Sequence, residues 1–249
     1  MSAPSTPPPA DAPRPPARGR PPRLDQARTV EAALALLDEA GLDALTMRRL
    51  ADAVGVQAGA LYRHFATKQD LLTAMAERML AGCSTPPPDP VWSARLTTLA
   101  RGMRTALLAH RDGARVYAGT HSTGANTLGF AETLLGVLRE AGFGPAQAAR
   151  TALTVIHYTV GHTLEEQAAL RPADQGPADQ GPADQGPADQ GPADPDRLRE
   201  AVTEARHPHL AEALPVFTDT DFAAQFEFGL DLLLQGLHAL PRPGPEPAA

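Results

Sequence analysis

Apolar residues recur along most of this chain at helical spacing, and no stretch alternates at the two-residue spacing of a half-buried strand. The first helical run follows Asp25, whose short acceptor side chain suits a helix N-cap. Val30, Ala33, Leu34 and Leu37 then fall three and four apart, and the pattern predicts a helix to about Ala40, stopped by Gly41. Thr46 is a comparable cap for a second helix, with Leu50, Ala53 and Val54 facing inward. Gly55 permits a turn at positive φ. A short third helix is predicted from Ala58 to Phe65, and Thr67 caps a fourth, "KQDLLTAMAERML", to about Leu80. "CSTPPPDP", with four prolines in eight residues, ends that run and marks a domain boundary or hinge.

Beyond the prolines, "VWSARLTTLARGMRTALLAH" has the spacing of an amphipathic helix. A short helix is expected over Ala114 to Ala118, another from about Leu128 to Ala141 with "AGFG" as its stop, and a long, largely apolar one from Pro145 to Leu170. The last, in "TDTDFAAQFEFGLDLLLQGLHAL", is capped near Asp219 or Asp221. The chain is therefore expected to be all-α. Residues 172–191 are four identical copies of PADQG, with a partial fifth in Pro192, Ala193 and Asp194. Proline and glycine in every unit oppose both helix and sheet, so residues 172–194 are expected to form a flexible loop between two helices.

Composition adds three constraints. With 43% hydrophobic residues in 249, the chain can bury a real core. Its net charge of −7 excludes a polycation as a whole, but the imbalance is uneven. Residues 1–80 hold ten Lys/Arg against nine Asp/Glu, and the remainder holds twelve against twenty. An acidic body with a less acidic front suits a chain that meets a polyanion at one end. The single cysteine, Cys83, forbids an intramolecular disulfide and suits a reducing compartment. No run of about 18 apolar residues predicts a membrane span, and the N-terminal stretch lacks the apolar core of a secretory signal, so a cytoplasmic location is expected. That stretch, residues 1–23, is rich in proline and arginine and is expected to be disordered. Two readings stay open for it: a solvated tail, or a basic arm that touches nucleic acid through Arg14, Arg18, Arg20 and Arg23.

The chemistry is concentrated where two helical runs, Met47 to Ala53 and Leu61 to Phe65, are separated by only Val54 to Ala60. Helix, glycine-containing corner and second helix form a helix-turn-helix pattern. Small residues at Ala58, Gly59 and Ala60 would let the second helix approach a duplex closely. The major groove admits one helix, Tyr62 and His64 could bond bases or phosphates there, and Lys68 suits a phosphate contact. Leu61 and Phe65, four apart, would face the core. An ordinary surface turn with one buried ring gives a similar pattern.

The wording is more specific than the pattern. "ALALLDEAGLDALTMRRLADAVGVQAGALYRHFATKQDLLTAMAERML" resembles the N-terminal domain of the tetracycline-repressor (TetR) family of transcription regulators, over Leu24 to Leu80. "LLAHRDGARVYAGT", the later "AGF" and "HYTVGHTLEEQ" are similar to the ligand-binding domain of the tetracycline repressors proper, and Trp92 falls where those repressors also carry Trp. The PADQG tract falls where they have a variable loop.

The resemblance implies an N-terminal helix-turn-helix DNA-binding domain over residues 24–80 and a helical ligand-binding and dimerisation domain over 90–240. It implies a homodimer on a palindromic DNA operator, released by a small organic effector. By the same resemblance Arg48 contacts base or phosphate, Ala58, Gly59 and Ala60 hold base-reading positions, and Tyr62, His64 and Lys68 match phosphate anchors. The tetracycline repressors have Gln-Pro-Thr at 58–60 and Trp at 63, so the operator is expected to differ, with Arg63 as a contact of this chain's own.

The effector residues depart further. Tyr117 stands where the repressors place a magnesium-binding His, and Leu99, Met103, His121 and Thr133 replace drug-contacting Asn, Phe, Arg and Gln. Thr120 and Glu165 are retained. A tyrosine, with a pKa near 10, does not replace imidazole as a metal ligand at neutral pH. The expectation is a largely apolar organic effector, with hydrogen bonds from Tyr117, Thr120, His121 and His157, and neither metal nor cofactor. His157, His162 and Glu165 admit an enzymatic reading, set against packing or rim roles. No nucleophile–base pairing, phosphate-binding glycine loop or cysteine pair supports an enzyme. A DNA-binding regulator without an effector is the remaining alternative.

Overall fold

The computed structural model describes residues 25–170 and 195–241, so the arm expected at 1–23 and the repeat loop at 172–194 lie outside the described residues. Among the described residues every element is a helix. α1 (Gln26–Ala40) begins where the Asp25 carboxylate accepts from the Ala27 amide and ends at Gly41, whose φ of 81° only glycine adopts freely. α2 (Met47–Ala53) starts with the Thr46 hydroxyl oxygen accepting from the Arg49 amide. Gly55 makes the corner at φ 69°. α3 (Ala58–Leu61) is shorter than predicted. After Leu61 the chain turns, with the His64 and Phe65 amides both donating to the Leu61 carbonyl at 2.8 and 2.9 Å. The turn brings Phe65 as well as Leu61 fully into the core, which a continued helix was not needed to do. α4 (Lys68–Met79) opens on a capping box: the Thr67 hydroxyl accepts from the Asp70 amide, and the Asp70 carboxylate accepts from the Thr67 amide.

The second body contains α5 (Trp92–Leu108), α6 (Gly113–Ala118), α7 (Ala125–Glu140) and α8 (Pro145–Ala169), then α9 (Pro195–Ala201), α10 (Pro208–Phe217) and α11 (Phe222–Ala239). α5, α7 and α8 pack on one another, α11 lies on α8, and α6 is held between α4 and α8. α7 starts three residues before the predicted Leu128, because a carboxylate from another helix caps it. α9 and α10 had no counterpart in the sequence pattern. Prolines 195, 208 and 215 break the helical window, and neither helix buries any residue that would set an apolar stripe.

The two bodies meet through "HRDGAR". Asp112, at φ 57°, turns its buried carboxylate to the Leu42 amide at 2.9 Å. Asp38 accepts from the Arg111 amide at 3.0 Å and lies 3.0 Å from His110 Nδ1. Arg115 donates to both oxygens of Asp43 at 3.1 Å. These bonds fix the α1–α2 corner of the first body against the start of α6. No described helix is long and apolar enough to cross a membrane.

Candidate nucleic-acid interface and effector cavity

The eight residues expected to meet DNA lie on α2, on α3 with the turn after it, and at the start of α4. Arg48, Gly59, Tyr62, Arg63, His64 and Lys68 are exposed, Tyr62 at 51%. Ala58 and Ala60 are half-buried, and Ala58 packs against the core, which leaves it less free to face a base than Gly59. Arg49, next to Arg48, is instead directed to Glu39 at 3.8 Å. Around Lys68, partial desolvation lowers the ammonium pKa. Asp43 opposes that shift and Arg115 adds to it. The exposed ring and cations stand clear of a rigid scaffold, as phosphate and base contacts require.

A cavity of about 460 Å³ lies between α6, the loop after it and α8. That is within the range of about 300–1,000 Å³ typical of small-molecule sites. Tyr117, Thr120 and His121 line one side, and His157 lines the other with Ile156, Val160 and Leu164. Four of the expected effector residues, Tyr117, Thr120, His121 and His157, are thus brought together. The other four are placed elsewhere. Leu99 and Met103 are core side chains of α5, 3% and 1% exposed. Thr133 turns its hydroxyl to the carbonyls of Ser84 and Gly129, at 2.8 and 2.9 Å. Glu165 is exposed.

The carboxylate that turns inward is its neighbour, Glu166, which accepts from Arg104 Nε at 3.0 Å and Nη2 at 2.7 Å. One residue is 100° of helix, so the two carboxylates meet different surroundings. Sequence reasoning also missed Ser122, Thr127, Ile156, Val160 and Leu164. The last three recur every four residues on α8, a signal that was available; Ser122 and Thr127 carried none.

Among the cavity's lining groups, the Tyr117 phenol is held neutral. Burial, and then the charge of Glu77, push the Tyr117 phenol up from its ordinary value, so it is protonated at neutral pH. The Thr120 hydroxyl donates to the Tyr117 carbonyl at 2.9 Å. His162, next to Gly161 of the cavity lining, packs its ring edge-on to Phe226 at 5.3 Å, and its Nδ1 is buried without a hydrogen-bond partner. Burial lowers its pKa, against the pull of Glu166 and with the push of Arg104. His157, His162 and Glu165 therefore do not form one cluster: one lines the cavity, one packs against α11, one faces solvent. Among the described residues no group of three His, Cys, Asp or Glu is placed to hold a metal ion.

Comparison with known proteins matches both bodies. Residues 30–75 match the family described as "Bacterial regulatory proteins, tetR family", and residues 85–240 match "Tetracyclin repressor-like, C-terminal domain". The tetracycline repressor protein class A from transposon 1721 of Escherichia coli is 40% identical over 218 residues, covering 86% of this chain and 91% of its own. Among solved structures, a possible TetR family transcriptional regulator from Streptomyces coelicolor A3(2) is 60% identical. It spans 87% of this chain and 100% of its own, with a TM-score of 0.77. ActR of Streptomyces coelicolor, solved in complex with actinorhodin, is 28% identical over 87% of this chain and 97% of its own, with a TM-score of 0.71. BioQ, solved with its double-stranded DNA operator, is 29% identical over 87% and 99%, with a TM-score of 0.59.

Proposed function

This chain belongs to the tetracycline-repressor (TetR) family of bacterial regulatory proteins, and from that premise we propose how its two bodies divide the work. The protein is a ligand-responsive, DNA-binding transcriptional repressor that acts as a homodimer on operator DNA. Its DNA contacts come from α2, α3 and the start of α4. Tyr62, His64 and Lys68 hold phosphates, and Arg48 and Arg63 reach the groove. Because Ala58, Gly59 and Ala60 offer no side-chain hydrogen bonds, direct readout rests on the two arginines and on backbone approach.

The effector occupies the cavity between α6 and α8. The observation that carries this reading is the cavity's lining: Ile156, Val160 and Leu164 form an apolar wall, while Tyr117, His121 and His157 supply a few hydrogen-bonding groups. Such a lining selects an uncharged, largely apolar organic molecule with hydroxyl or carbonyl groups, bound without a metal. That ActR was solved with actinorhodin supports a small-molecule effector in this domain. Membership of a family of transcription regulators supports the reading that His157 has no catalytic role.

Dimerisation is assigned to α8 and α11, which leave Leu153, Phe228 and Leu232 more than half exposed on a single chain. Pairing these helices across a two-fold axis would cover them. Release follows if the effector shifts α6 against α4 and alters the separation of the two recognition helices. Half-sites lie about 34–36 Å apart, so a few ångströms of change breaks simultaneous docking.

The test is selection of genomic fragments by the purified protein, footprinting of the winning site, and a mass measurement in solution. A protected palindrome bound by a dimer is expected. A stable monomer, or no preferred fragment, would overturn the reading.

A further inference from the structure

We propose that the Glu77 carboxylate is the joint through which occupancy of the cavity reaches the DNA-reading unit. This deepens the effector reading above and rests on it. Glu77 lies near the end of α4, the helix that follows the helix-turn-helix, and its side chain crosses to the start of α7. One oxygen accepts from the Ser122 hydroxyl at 2.7 Å, from the Thr127 amide at 3.1 Å and from the Thr127 hydroxyl. The other accepts from the Asn126 amide at 2.9 Å. Asn126 Nδ2 donates back to the Glu77 carbonyl at 2.8 Å.

This is a helix cap supplied from another element. The N-cap of α7 is Gly124, which has no side chain to accept from the free amides of the first turn. Glu77 does so instead, and its charge favours the positive end of this 16-residue helix. Gly124 is required for the fit: a Cβ there would lie 2.3 Å from both Cδ and Oε2 of Glu77. Burial alone would raise the Glu77 pKa, but bonds from Ser122, Thr127 and Asn126 outweigh it and hold the carboxylate below its ordinary range.

The joint also faces the cavity. Ser122 and Thr127, the two residues whose hydroxyls donate to Glu77, line it. An occupant that bonds to either hydroxyl draws it away from Glu77 and weakens the attachment of α4 to α7. The path therefore runs through a broken cap at the end of α4, in addition to any push from α6. At the opposite end, Gln69 Nε2 holds α4 to the Gly119 carbonyl at 2.7 Å, so loss of the Glu77 tie leaves a pivot.

Operator DNA is a probe for the joint that needs no known effector, because coupling between two sites is reciprocal. Hydrogen exchange at the Asn126 and Thr127 amides is measured on the full chain with and without an operator fragment selected from genomic DNA. In the wild type, operator binding should change their exchange by about fivefold or more. Glu77→Gln has a single acceptor oxygen, so at least one of these amides should exchange about tenfold faster in the free protein, and the response to operator should vanish. Gly124→Ala, which displaces the carboxylate with Glu77 intact, should behave alike and serves if Glu77→Gln does not fold. Operator binding that changes the two amides equally in wild type and variants overturns the joint alone. Failure of the wild type to bind any fragment overturns the regulator reading, and the joint with it.

Discussion

Removing the Glu166 carboxylate strands the Arg104 guanidinium between α5, α8 and α11, and the size of that penalty can be worked out. The pair is bidentate, at 3.0 and 2.7 Å, with only 16% of the Arg104 side chain and 10% of the Glu166 side chain exposed. That places it near the buried limit, where loss of one partner costs about 3–5 kcal/mol. An exposed pair is worth only about 0–1 kcal/mol. Arg104 also lies 5.2 Å from the centroid of the Phe226 ring, a contact that survives the change and favours the lower end. Glu166→Ala should therefore lose about 3 kcal/mol, against a total stability of order 5–15 kcal/mol. In a chain of this size that lowers the melting temperature by roughly 6–12 °C.

The assay is equilibrium urea unfolding at fixed protein concentration, since dimerisation contributes to apparent stability. Two comparisons sharpen it. Glu165→Ala, one residue away and exposed, should change stability by about 0.5 kcal/mol or less. The double variant Arg104→Met, Glu166→Leu should recover most of the loss, because no charge is left uncompensated. If Glu165→Ala costs as much as Glu166→Ala, or the double variant is no better than the single one, the burial argument is wrong.

Gly229→Ala would place a Cβ 2.2 Å from the Tyr158 hydroxyl, which donates to the Phe226 carbonyl at 2.8 Å, so it should cost about 1–3 kcal/mol by thermal melting. Gly136→Ala meets nothing within 4 Å and should gain about 0.5–1 kcal/mol in the same experiment. Lys68→Ala should weaken binding to all DNA sequences alike and flatten the salt dependence by about one unit, whereas Arg48→Ala should cost about 1–3 kcal/mol at one operator position. Footprint-based affinities at two salt concentrations separate those outcomes. Tyr117→Ala should spare operator affinity yet abolish release, read as loss of response across a panel of uncharged aromatic compounds that includes one releasing the wild type. His162 should penalise the fold in acid. Its folded pKa is below its unfolded value near 6.5, so the unfolded state binds more protons and stability falls as pH drops below that value. His162→Phe should flatten the pH dependence of urea midpoints in that window, and an unchanged slope would refute the assignment.

What the sequence determined by itself rests on interactions within about four residues of one another. Asp25, Thr46 and Thr67 were legible as caps because a cap bonds the next turn, and Gly41 and Gly55 as breaks because their positive φ is a property of one residue. Helical spacing gave nearly all the long helices, and the phrase around Met47 to Lys68 gave the helix-turn-helix and the family. Tertiary structure decided the rest. Leu99 and Met103, expected at the effector site from resemblance, are buried side chains of α5, which packs on α7 and α8. Periodicity could not choose between Glu165 and Glu166, because the choice depends on Arg104, 62 residues away. The start of α7 and the roles of Ser122 and Thr127 depend on Glu77, 45 to 50 residues distant, and Gly124 gives no local sign of the carboxylate that takes its place as a cap. Short-range hydrogen bonds are written in neighbouring letters; a partner on another helix is fixed only when packing brings the two helices together.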